Sequence, residues 1–311
     1  MDSAKLRQRF CKDNNISIQL FQEPFFSDRL RLMGKLDEFN EFIELINTKF
    51  NGNPELYFNE YNSLKDKIID YIKESLTFQT LNNDDMNKYT CTYSFKQSDV
   101  YKVPNIGSRF ISIDMKKANF SALVHYGINN NCKFANDYDW EQFMKQFTDI
   151  EHFIKSKYIR QVVLGNCNPR RQVTYEKYLM NTVLDELFES GVISQSEIYS
   201  MCHDEIIIYA DELTYKQLDK IRDIVENYCA IPLRFEYFTL GKITNSDAYV
   251  KKIHLADGST QIVPKCLSSI EAPAIYRMLN GELVNAEDNY FYHEGRLAKY
   301  IDNKQYEIVF E

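Results

Sequence analysis

The chain has 311 residues, of which 44% are hydrophobic and 14% are aromatic, so it can bury a large core and is not a disordered protein. Its formal net charge of -8 excludes a chain that is basic throughout, so any contact with a polyanion must come from a local basic patch. The seven cysteines are scattered and form no CxxC pair, which favours reduced thiols over a disulfide framework or a zinc site.

The sequence contains no signal for a membrane. No apolar run approaches the length of a membrane span, and the start MDSAKLRQRFCKDNN lacks the apolar region of a secretory signal. We therefore expect a soluble, intracellular protein without a membrane partner. A bias toward Asn, Lys, Ile and Tyr suggests an AT-rich genome, for which a virus is one candidate, so the expected location is the cytoplasm, the nucleoid or a viral replication site.

Residues 1–100 are predicted to form a helical N-terminal region. In LDEFNEFIELINTKF the apolar side chains recur every three or four residues, and the turn NGNP at residues 51–54 follows. A second amphipathic run extends from Tyr61 to Leu76. The plain interpretation is that these helices pack on one another and on the segments that follow.

Residues 101–245 are predicted to form a mixed unit of strands and helices. Pro104 and Gly107 precede a short strand over residues 110–113, which ends at Asp114, and KKANFSALVHYG is predicted to be a helix. Further helices are predicted over residues 139–159 and 170–190, separated by the loop LGNCNPRR.

The stretch SMCHDEIIIY predicts a strand, a tight turn at His203 and Asp204, and a second strand. The helix LTYKQLDKIRDIVENY and the strand IPLRFEYFTL complete an α+β order. Residues 246–311 are predicted to be a β-rich extension. In it, Asp257 and Gly258 mark a hairpin within VKKIHLADGSTQIVP, and the tail from residue 289 predicts two or three more strands.

Two acidic residues, Asp114 and Asp204, each lie where an apolar strand meets a turn or a helix. If these strands are neighbours in one sheet, the carboxylates meet at its edge and can hold Mg²⁺, which takes one or two protein carboxylates and fills its shell with water and phosphate oxygens. Two such ions about 4 Å apart stabilise the attacking and leaving oxygens of a phosphoryl displacement. The alternative is that Asp204 and Glu205 are ordinary turn residues paired with Lys or Arg.

The segments SIDMKKANFSALVHYG and MCHDEIIIY resemble the two metal-binding motifs of the family A, polymerase I-like DNA polymerases. In that family a strand ends in Asp, and the eleventh residue after it is a His in the next helix, as His125 is eleven residues after Asp114. The second family motif is a small apolar residue, His, Asp, Glu and an apolar run, which matches residues 202–207. The resemblance covers about residues 104–242, less than half of the chain.

Two flanking segments fit the same resemblance. NPRRQVTYEKYLMNTVLDEL, which carries Gln172, resembles the long helix that precedes the second motif. IRDIVENYCAIPLRFEYFTLG resembles the helix, strand and glycine that close the palm. The implied fold is a right-handed polymerase-like palm with a mixed or antiparallel sheet, reduced fingers, and the N-terminal helices in the thumb position.

The resemblance also implies roles for individual residues. Asp114 and Asp204 would hold two Mg²⁺ or Mn²⁺ ions, and the carbonyl of Met115 would complete one metal shell. Glu205 would be a further catalytic residue, and His203 would donate a hydrogen bond to the primer end. Since the family's DNA enzymes carry His-Asp-Glu, Glu205 favours DNA synthesis.

The chain departs from the family at the fingers. SKYIRQVVLGNCNP places Arg160 where the family has the lysine that neutralises the triphosphate, and Leu164 where it has an aromatic residue. Arginine clamps phosphate with two hydrogen bonds, but it does not replace lysine in every role. Asn119 lies where the family has the glutamate that screens the sugar, so selection between deoxy- and ribonucleotides stays open.

A stretch of positive charge supports contact with phosphate. Residues 155–171 contain Lys155, Lys157, Arg160, Arg170 and Arg171 and no acidic residue. Beside bound metal ions this charge would attract a triphosphate or a nucleic-acid backbone. The alternative is a solvated helix face.

The sequence therefore predicts a metal-dependent nucleotidyltransferase that resembles a minimal family A DNA polymerase and adds nucleotides from nucleoside triphosphates to a 3'-hydroxyl end. Its expected partners are primer and template nucleic acid, nucleoside triphosphates, and a protein bound through the C-terminal extension. One alternative is a catalytically inactive palm-like subunit that binds nucleic acid or acts as a scaffold. Another is an RNA-synthesising or template-independent transferase.

Overall fold

The computed structural model describes residues 3–300 and 304–311, and these residues form an α+β fold. Within these ranges the chain contains twelve α-helices, a seven-stranded antiparallel sheet and a separate two-stranded sheet. The helices are α1 (Ser3–Asp13), α2 (Phe25–Leu32), α3 (Leu36–Lys49), α4 (Pro54–Glu74), α5 (Leu76–Asn83), α6 (Ala118–Asn129), α7 (Trp140–Met144), α8 (Glu151–Lys155), α9 (Lys157–Gly165), α10 (Pro169–Glu189), α11 (Tyr215–Glu226) and α12 (Ala272–Leu279). The strands are β1 (Arg109–Met115), β2 (Ile198–Met201), β3 (Glu205–Tyr209), β4 (Leu233–Ile243), β5 (Tyr249–His254), β6 (Thr260–Lys265), β7 (Tyr290–His293), β8 (Arg296–Lys299) and β9 (Ile308–Val309). The two-stranded sheet is formed by β7 and β8.

The N-terminal region is helical, as predicted. The apolar faces of α3 and α4 are buried in the main core, because their hydrophobic residues repeat at helical spacing. Helix α4 begins at Pro54, where the side chain of Asn53 accepts a hydrogen bond from the N–H of Glu55 at 2.9 Å. Helices α1 and α4 pack against α9, so the N-terminal region shares one core with the middle of the chain.

The sheet has the strand order β2-β3-β1-β4-β5-β6, and β9 pairs with β4. Because side chains alternate along a strand, the sheet has two different faces. On the helix-covered face, Ile111, Ile113, Ile206 and Ile208 are buried in the core that α6 and α10 also line.

The opposite face, which we call the polar face, has an apolar half and a charged half. Its apolar half, with Phe110, Ile207 and Phe238, is covered by Val100, Tyr101 and Ile106 of the preceding segment. Its charged half contains Ser112, Asp114, Glu205, Arg234 and Glu236. On the neighbouring strands, Asp114 is directly opposite Glu205 and Arg234, and Ser112 is directly opposite Glu236. The sheet therefore presents a group of charges at the end of β1.

The predicted strand, turn and strand around His203 are present. The N–H of Cys202 donates to the carbonyl of Glu205 at 2.8 Å and closes a turn whose central residues are His203 and Asp204. The predicted strand that ends near Asp114 is also present as β1, and the helix after it is α6.

The prediction of one helix over residues 139–159 is wrong, because α7, α8 and the start of α9 occupy this range. Polar caps divide it. The side chain of Asp139 accepts the N–H of Glu141 at the start of α7, and the hydroxyl of Ser156 accepts the N–H of Ile159 at the start of α9. The first N–H groups of a helix have no carbonyl partner within that helix, and each cap accepts a hydrogen bond from at least one of them. The caps therefore stabilise new helix starts inside this range.

The sheet continues across the predicted domain boundary at residue 245. The hairpin of β5 and β6 is present and extends the sheet, and β9 returns to pair with the end of β4. Gly241 permits this return, because a Cβ atom there would lie 2.7 Å from Cε1 of Phe310. The helix α12 was not predicted in this β-rich region; it begins at Ala272 with Pro273 in its first turn, and its apolar side packs on Ile243 and Val250.

Candidate active site

Main-chain pairing brings the two motif segments together. Asp114 at the end of β1 is directly opposite Glu205 at the start of β3. The N–H of Met115 donates to the carbonyl of Asp204 at 2.8 Å. The two acids therefore lie at the same end of two neighbouring central strands, and we call this end of the strands the sheet edge. Their catalytic roles stay a prediction.

Five carboxylates surround this sheet edge, and we call them the acidic cluster. They are Asp114 of β1, Glu176 of α10, Asp204 of the turn, Glu205 of β3 and Glu236 of β4. Asp114 experiences the charges of Asp204, Glu205 and Glu236, and Glu176 experiences that of Asp204. Among the described residues, Arg234 and Lys251 are the cations that form ion pairs with the cluster.

Asp114 is in a strongly negative environment. Burial raises the pKa of Asp114 to about 6, and its acidic neighbours, foremost Asp204, add to the rise. The guanidinium of Arg234, 3.0 Å from Oδ2 of Asp114, opposes this rise. Arg234 is 55% exposed and also lies 3.4 Å from Glu236, so it is shared and is not a buried private partner of Asp114.

Two further carboxylates at this edge differ in their partners. Glu205 accepts a hydrogen bond from the hydroxyl of Ser112 at 2.5 Å, which fixes its side chain on the polar face. Among the residues that the structure describes, none forms a hydrogen bond or an ion pair with the carboxylate of Asp204. The carboxylate of Asp204 is therefore available to a cation.

Glu176 was missed by the sequence analysis. It is buried on α10, where Asn119 of α6 donates to its Oε1 at 2.6 Å. Burial raises the pKa of Glu176 to about 7, and the charge of Asp204 adds to this. A signal was present, because Glu176 shares a helix face with the buried residues Gln172, Leu179 and Val183, where a charge is unusual.

The donor set fits a divalent cation that is only partly held by protein. The available oxygens are carboxylates, which Mg²⁺ and Mn²⁺ prefer, and the five carboxylates have ion pairs with only two cations among the described residues, Arg234 and Lys251. Within the described residues, no group of three or more His, Cys, Asp or Glu side chains is arranged as a metal-binding set. The residues therefore fit an ion completed by water and substrate oxygens, and not a closed protein cage.

The remaining predicted ligand residues are dispersed. His203 is exposed in the turn next to Asp204. Gln172 has no exposed surface, and its Nε2 donates to the carbonyl of Cys167. Arg171 donates to the carbonyls of Leu81 and Asp84 at 2.9 and 2.7 Å, so its guanidinium is attached to the end of α5.

Arg160 and Arg170 are in different surroundings. Arg160 is partly buried, which lowers its pKa, and Glu141 is its opposing charge. Glu141 also lies 3.8 Å from Lys117, which follows the end of β1, so Arg160 belongs to the same end of the molecule as Asp114. Arg170 is exposed at the start of α10.

His125, which carries part of the family resemblance, has a structural environment. Its Nδ1 lies 2.8 Å from the hydroxyl of Tyr175, and burial lowers its pKa. It links α6 to α10 and holds the helix that bears Asn119 against the helix that bears Glu176.

A cavity of about 230 Å³ adjoins the acidic cluster on the polar face, and Glu205, Lys251, Tyr101 and Ser200 are among its lining residues. A larger cavity of about 1030 Å³ lies between α12, β6 and β9, away from the cluster, and is lined mainly by apolar side chains such as Ile262 and Leu279. Of these two cavities, the smaller one contacts the acidic cluster, through Glu205.

Comparison of the chain with protein-family models, with curated proteins and with solved structures finds no match. The family resemblance therefore rests on the two sequence motifs and their flanking segments. None of the described helices is both long enough and apolar enough to cross a membrane.

Proposed function

We propose that this chain is a metal-dependent nucleotidyltransferase that adds nucleotides from nucleoside triphosphates to a 3'-hydroxyl end, and that its central sheet is a polymerase-like palm. The observation that carries the proposal is the pairing of Asp114 with Glu205, together with the hydrogen bond between Met115 and Asp204. It places two motifs that are far apart in the chain at one sheet edge, with more carboxylates than cations.

Divalent cations, Mg²⁺ or Mn²⁺, would stabilise the attacking and leaving oxygens of the displacement when bound. Asp114 and Asp204 would hold them, and the carbonyl of Met115 is the proposed main-chain ligand. Ser112 keeps Glu205 oriented toward this edge, and the exposed His203 is available to donate a hydrogen bond to the primer end. In such a reaction the chain contributes mainly positioning and electrostatics.

The proposed partners are primer and template nucleic acid and nucleoside triphosphates, with a protein partner at the C-terminal region. A viral or cellular replication site is the proposed location. Of the three arginines in the predicted basic stretch, Arg160 and Arg170 remain candidates for phosphate contact. The attachment of Arg171 to α5 and the burial of Gln172 argue against direct roles for those two residues.

The test is incorporation of labelled nucleotides of both sugar types, with Mg²⁺ or Mn²⁺, with and without a template. We expect Asp204→Asn to lower incorporation at least about 100-fold, because it removes a metal ligand with little change in shape. The matched control is Asp219→Asn, since Asp219 is an exposed acid on α11 outside the cluster. Full activity in the Asp204 variant would end the proposal.

A second candidate is a palm-like subunit that binds nucleic acid without catalysis. It is favoured by the engagement of Arg171 and Gln172 inside the protein, which leaves the predicted fingers with few free phosphate contacts. This candidate predicts nucleic-acid binding and no incorporation under any condition of the same assay. A preference for ribonucleotides or indifference to the template would instead identify an RNA-synthesising or an untemplated transferase.

A further inference from the structure

We infer that Arg234 and Lys265, with Lys251 between them to balance Glu236, form a binding site for the polyphosphate group of a nucleoside triphosphate, beside the acidic cluster. This inference rests on the proposed function. It assigns phosphate binding to the C-terminal strands rather than to the predicted fingers. We call these three residues the cationic group.

Strand pairing places the cationic group on the same face as the acidic cluster. Residues directly opposite each other in an antiparallel pair point to the same face. Asp114 is opposite Arg234, Leu240 is opposite Lys251, and Tyr249, two residues from Lys251, is opposite Lys265. Since Arg234 and Leu240 are an even number of residues apart on β4, all three cations lie on the polar face.

Lys251 is 4% exposed, and its role is to balance Glu236. Its Nζ lies 3.2 Å from Oε2 of Glu236 and 4.3 Å from the ring centre of Phe238. Arg234 contacts Asp114 and Glu236, and its guanidinium is still 55% exposed. Its exposed N–H groups can therefore donate to an anion that lies next to Asp114.

Lys265 is a partly buried cation without a direct partner. Its ammonium group forms no hydrogen bond or ion pair with any residue that the structure describes. Burial and the neighbouring Lys251 lower the pKa of Lys265, while Glu236 opposes this change. A bound anion would supply the partner that the protein does not.

The polar face of β4, β5 and β6 contains more cations than acids. By their strand positions, Arg234, Lys242, Lys251 and Lys265 lie on this face together with one carboxylate, Glu236. This local excess occurs in a chain of net charge -8, and the cavity of about 230 Å³ reaches it at Lys251. Asp99 of the covering segment and Glu205 also line that cavity and limit the excess.

A triphosphate fits this arrangement better than a single phosphate does. Several linked negative charges can contact Arg234 and Lys265 together, and other phosphate oxygens can face an ion at Asp114. The cationic group then binds the triphosphate in place of the predicted fingers. In the predicted fingers, Arg171 donates its hydrogen bonds to the carbonyls of Leu81 and Asp84 instead.

The test is calorimetric titration of the full chain with tripolyphosphate at one fixed Mg²⁺ concentration in both solutions, so that an ion is present at Asp114. We expect binding in the unmodified protein and about tenfold weaker binding in Lys265→Gln, because one charge-assisted contact is lost. The matched control is Lys252→Gln, since Lys252 is the neighbour of Lys251 in β5 and points to the opposite face. The control should bind within about twofold of the unmodified protein.

Three results would overturn the inference. They are no binding of tripolyphosphate, an equal loss in the two lysine variants, and displacement of tripolyphosphate by a short single-stranded oligonucleotide at lower concentration than by a nucleoside triphosphate. Incorporation of nucleotides that is unchanged in Lys265→Gln, together with no tripolyphosphate binding, refutes this inference alone. Binding that depends on Lys265 in a protein that incorporates no nucleotide refutes the proposed function alone.

Discussion

Two groups of charged residues in this molecule differ in how their charges are balanced. The first, which we call the α2–α12 network, joins the N-terminal helices to the C-terminal region, and it contains Arg31, Arg277, Asp28, Asp288 and Glu282. The second is the acidic cluster at the end of β1. Both hold carboxylates in partly buried positions, but only the first gives each of them a direct cationic partner.

In the α2–α12 network, hydrogen bonds satisfy the buried charge. Arg277 is 6% exposed and donates two hydrogen bonds to Asp288 at 2.7 and 2.9 Å and one to Glu282 at 2.9 Å. It also contacts Asp28. Such a pairing is favourable when all its members are present, because the bonds offset the cost of burial.

In the acidic cluster, the charge is not satisfied within the protein. Asp204 has no direct partner among the described residues, and the pKa values of Asp114 and Glu176 are raised. A folded chain that retains such repulsion gains when a cation binds. The comparison therefore separates a network that holds the fold together from a cluster that is suited to a ligand.

The largest expected effect is on the α2–α12 network. Arg277→Met should lower the free energy of unfolding by about 3–5 kcal/mol, because Asp288 is left buried and unpaired. Urea denaturation measures this. Arg31→Met is the control, since Arg31 also contacts Asp28 and Glu282 but is 46% exposed, and its loss should cost less than about 1 kcal/mol. Equal losses in the two variants would contradict the comparison.

In the acidic cluster, removal of a charge should increase the free energy of unfolding rather than lower it. Glu176→Gln should raise the free energy of unfolding at pH 8 by about 1–2 kcal/mol, since the amide keeps the acceptor for Asn119 and removes the repulsion with Asp204. Glu186→Gln, at an exposed position of the same helix, is the control and should have almost no effect. A destabilised Glu176 variant would show that this carboxylate is needed by the fold.

Divalent cations should stabilise the protein through the same cluster. At pH 7.5, Mn²⁺ at ten times its Kd should add about 1.4 kcal/mol to the free energy of unfolding, because the unfolded chain has no such site. Asp114→Asn and Asp204→Asn should each remove most of this gain in thermal melts. Equal stabilisation of both variants and the unmodified chain would place the ion elsewhere.

The free energy of unfolding should fall as the pH rises, because the carboxyl pKa of Glu176 is higher in the folded chain than in the unfolded chain. Glu176 binds a proton up to about pH 7 in the folded chain, and the ordinary value is 4.5, so the folded state holds more protons between these values. Stability from this group is therefore greatest at low pH and falls as the pH rises to about 7. Replacement by Gln should reduce that fall between pH 5.5 and 7.5 by up to about 1 kcal/mol per pH unit, measured by urea denaturation. An unchanged pH profile would contradict the raised pKa.

Much of the local structure could be predicted from the sequence. The strand β1, the helix α6, the turn at His203 and Asp204 and the hairpin at Asp257 and Gly258 lie where the patterns of apolar and turn residues indicate. Each depends on residues within a few positions, so a single sequence contains the necessary information. The division into α7, α8 and α9 and the helix α12 were missed, because short helices depend on single caps and on the core they contact.

The composition of the site could be predicted only in part. The two motifs identified Asp114 and Asp204, but nothing near them in the sequence indicated that Glu176, Arg234 or Lys251 would be their neighbours. Each of these residues is brought there by a strand or helix from a distant part of the chain.

The sequence by itself determined most of the longer helices, the central strands and the turns, and it identified the two acids at the ends of apolar strands, because side-chain period and turn chemistry act over a few residues. Only the tertiary structure decided which charges face one another, which acids lack a cation, and that the C-terminal strands share a face with Asp114. The physical reason is that charges interact through space, and the strand order that sets their separations is a property of the whole sheet.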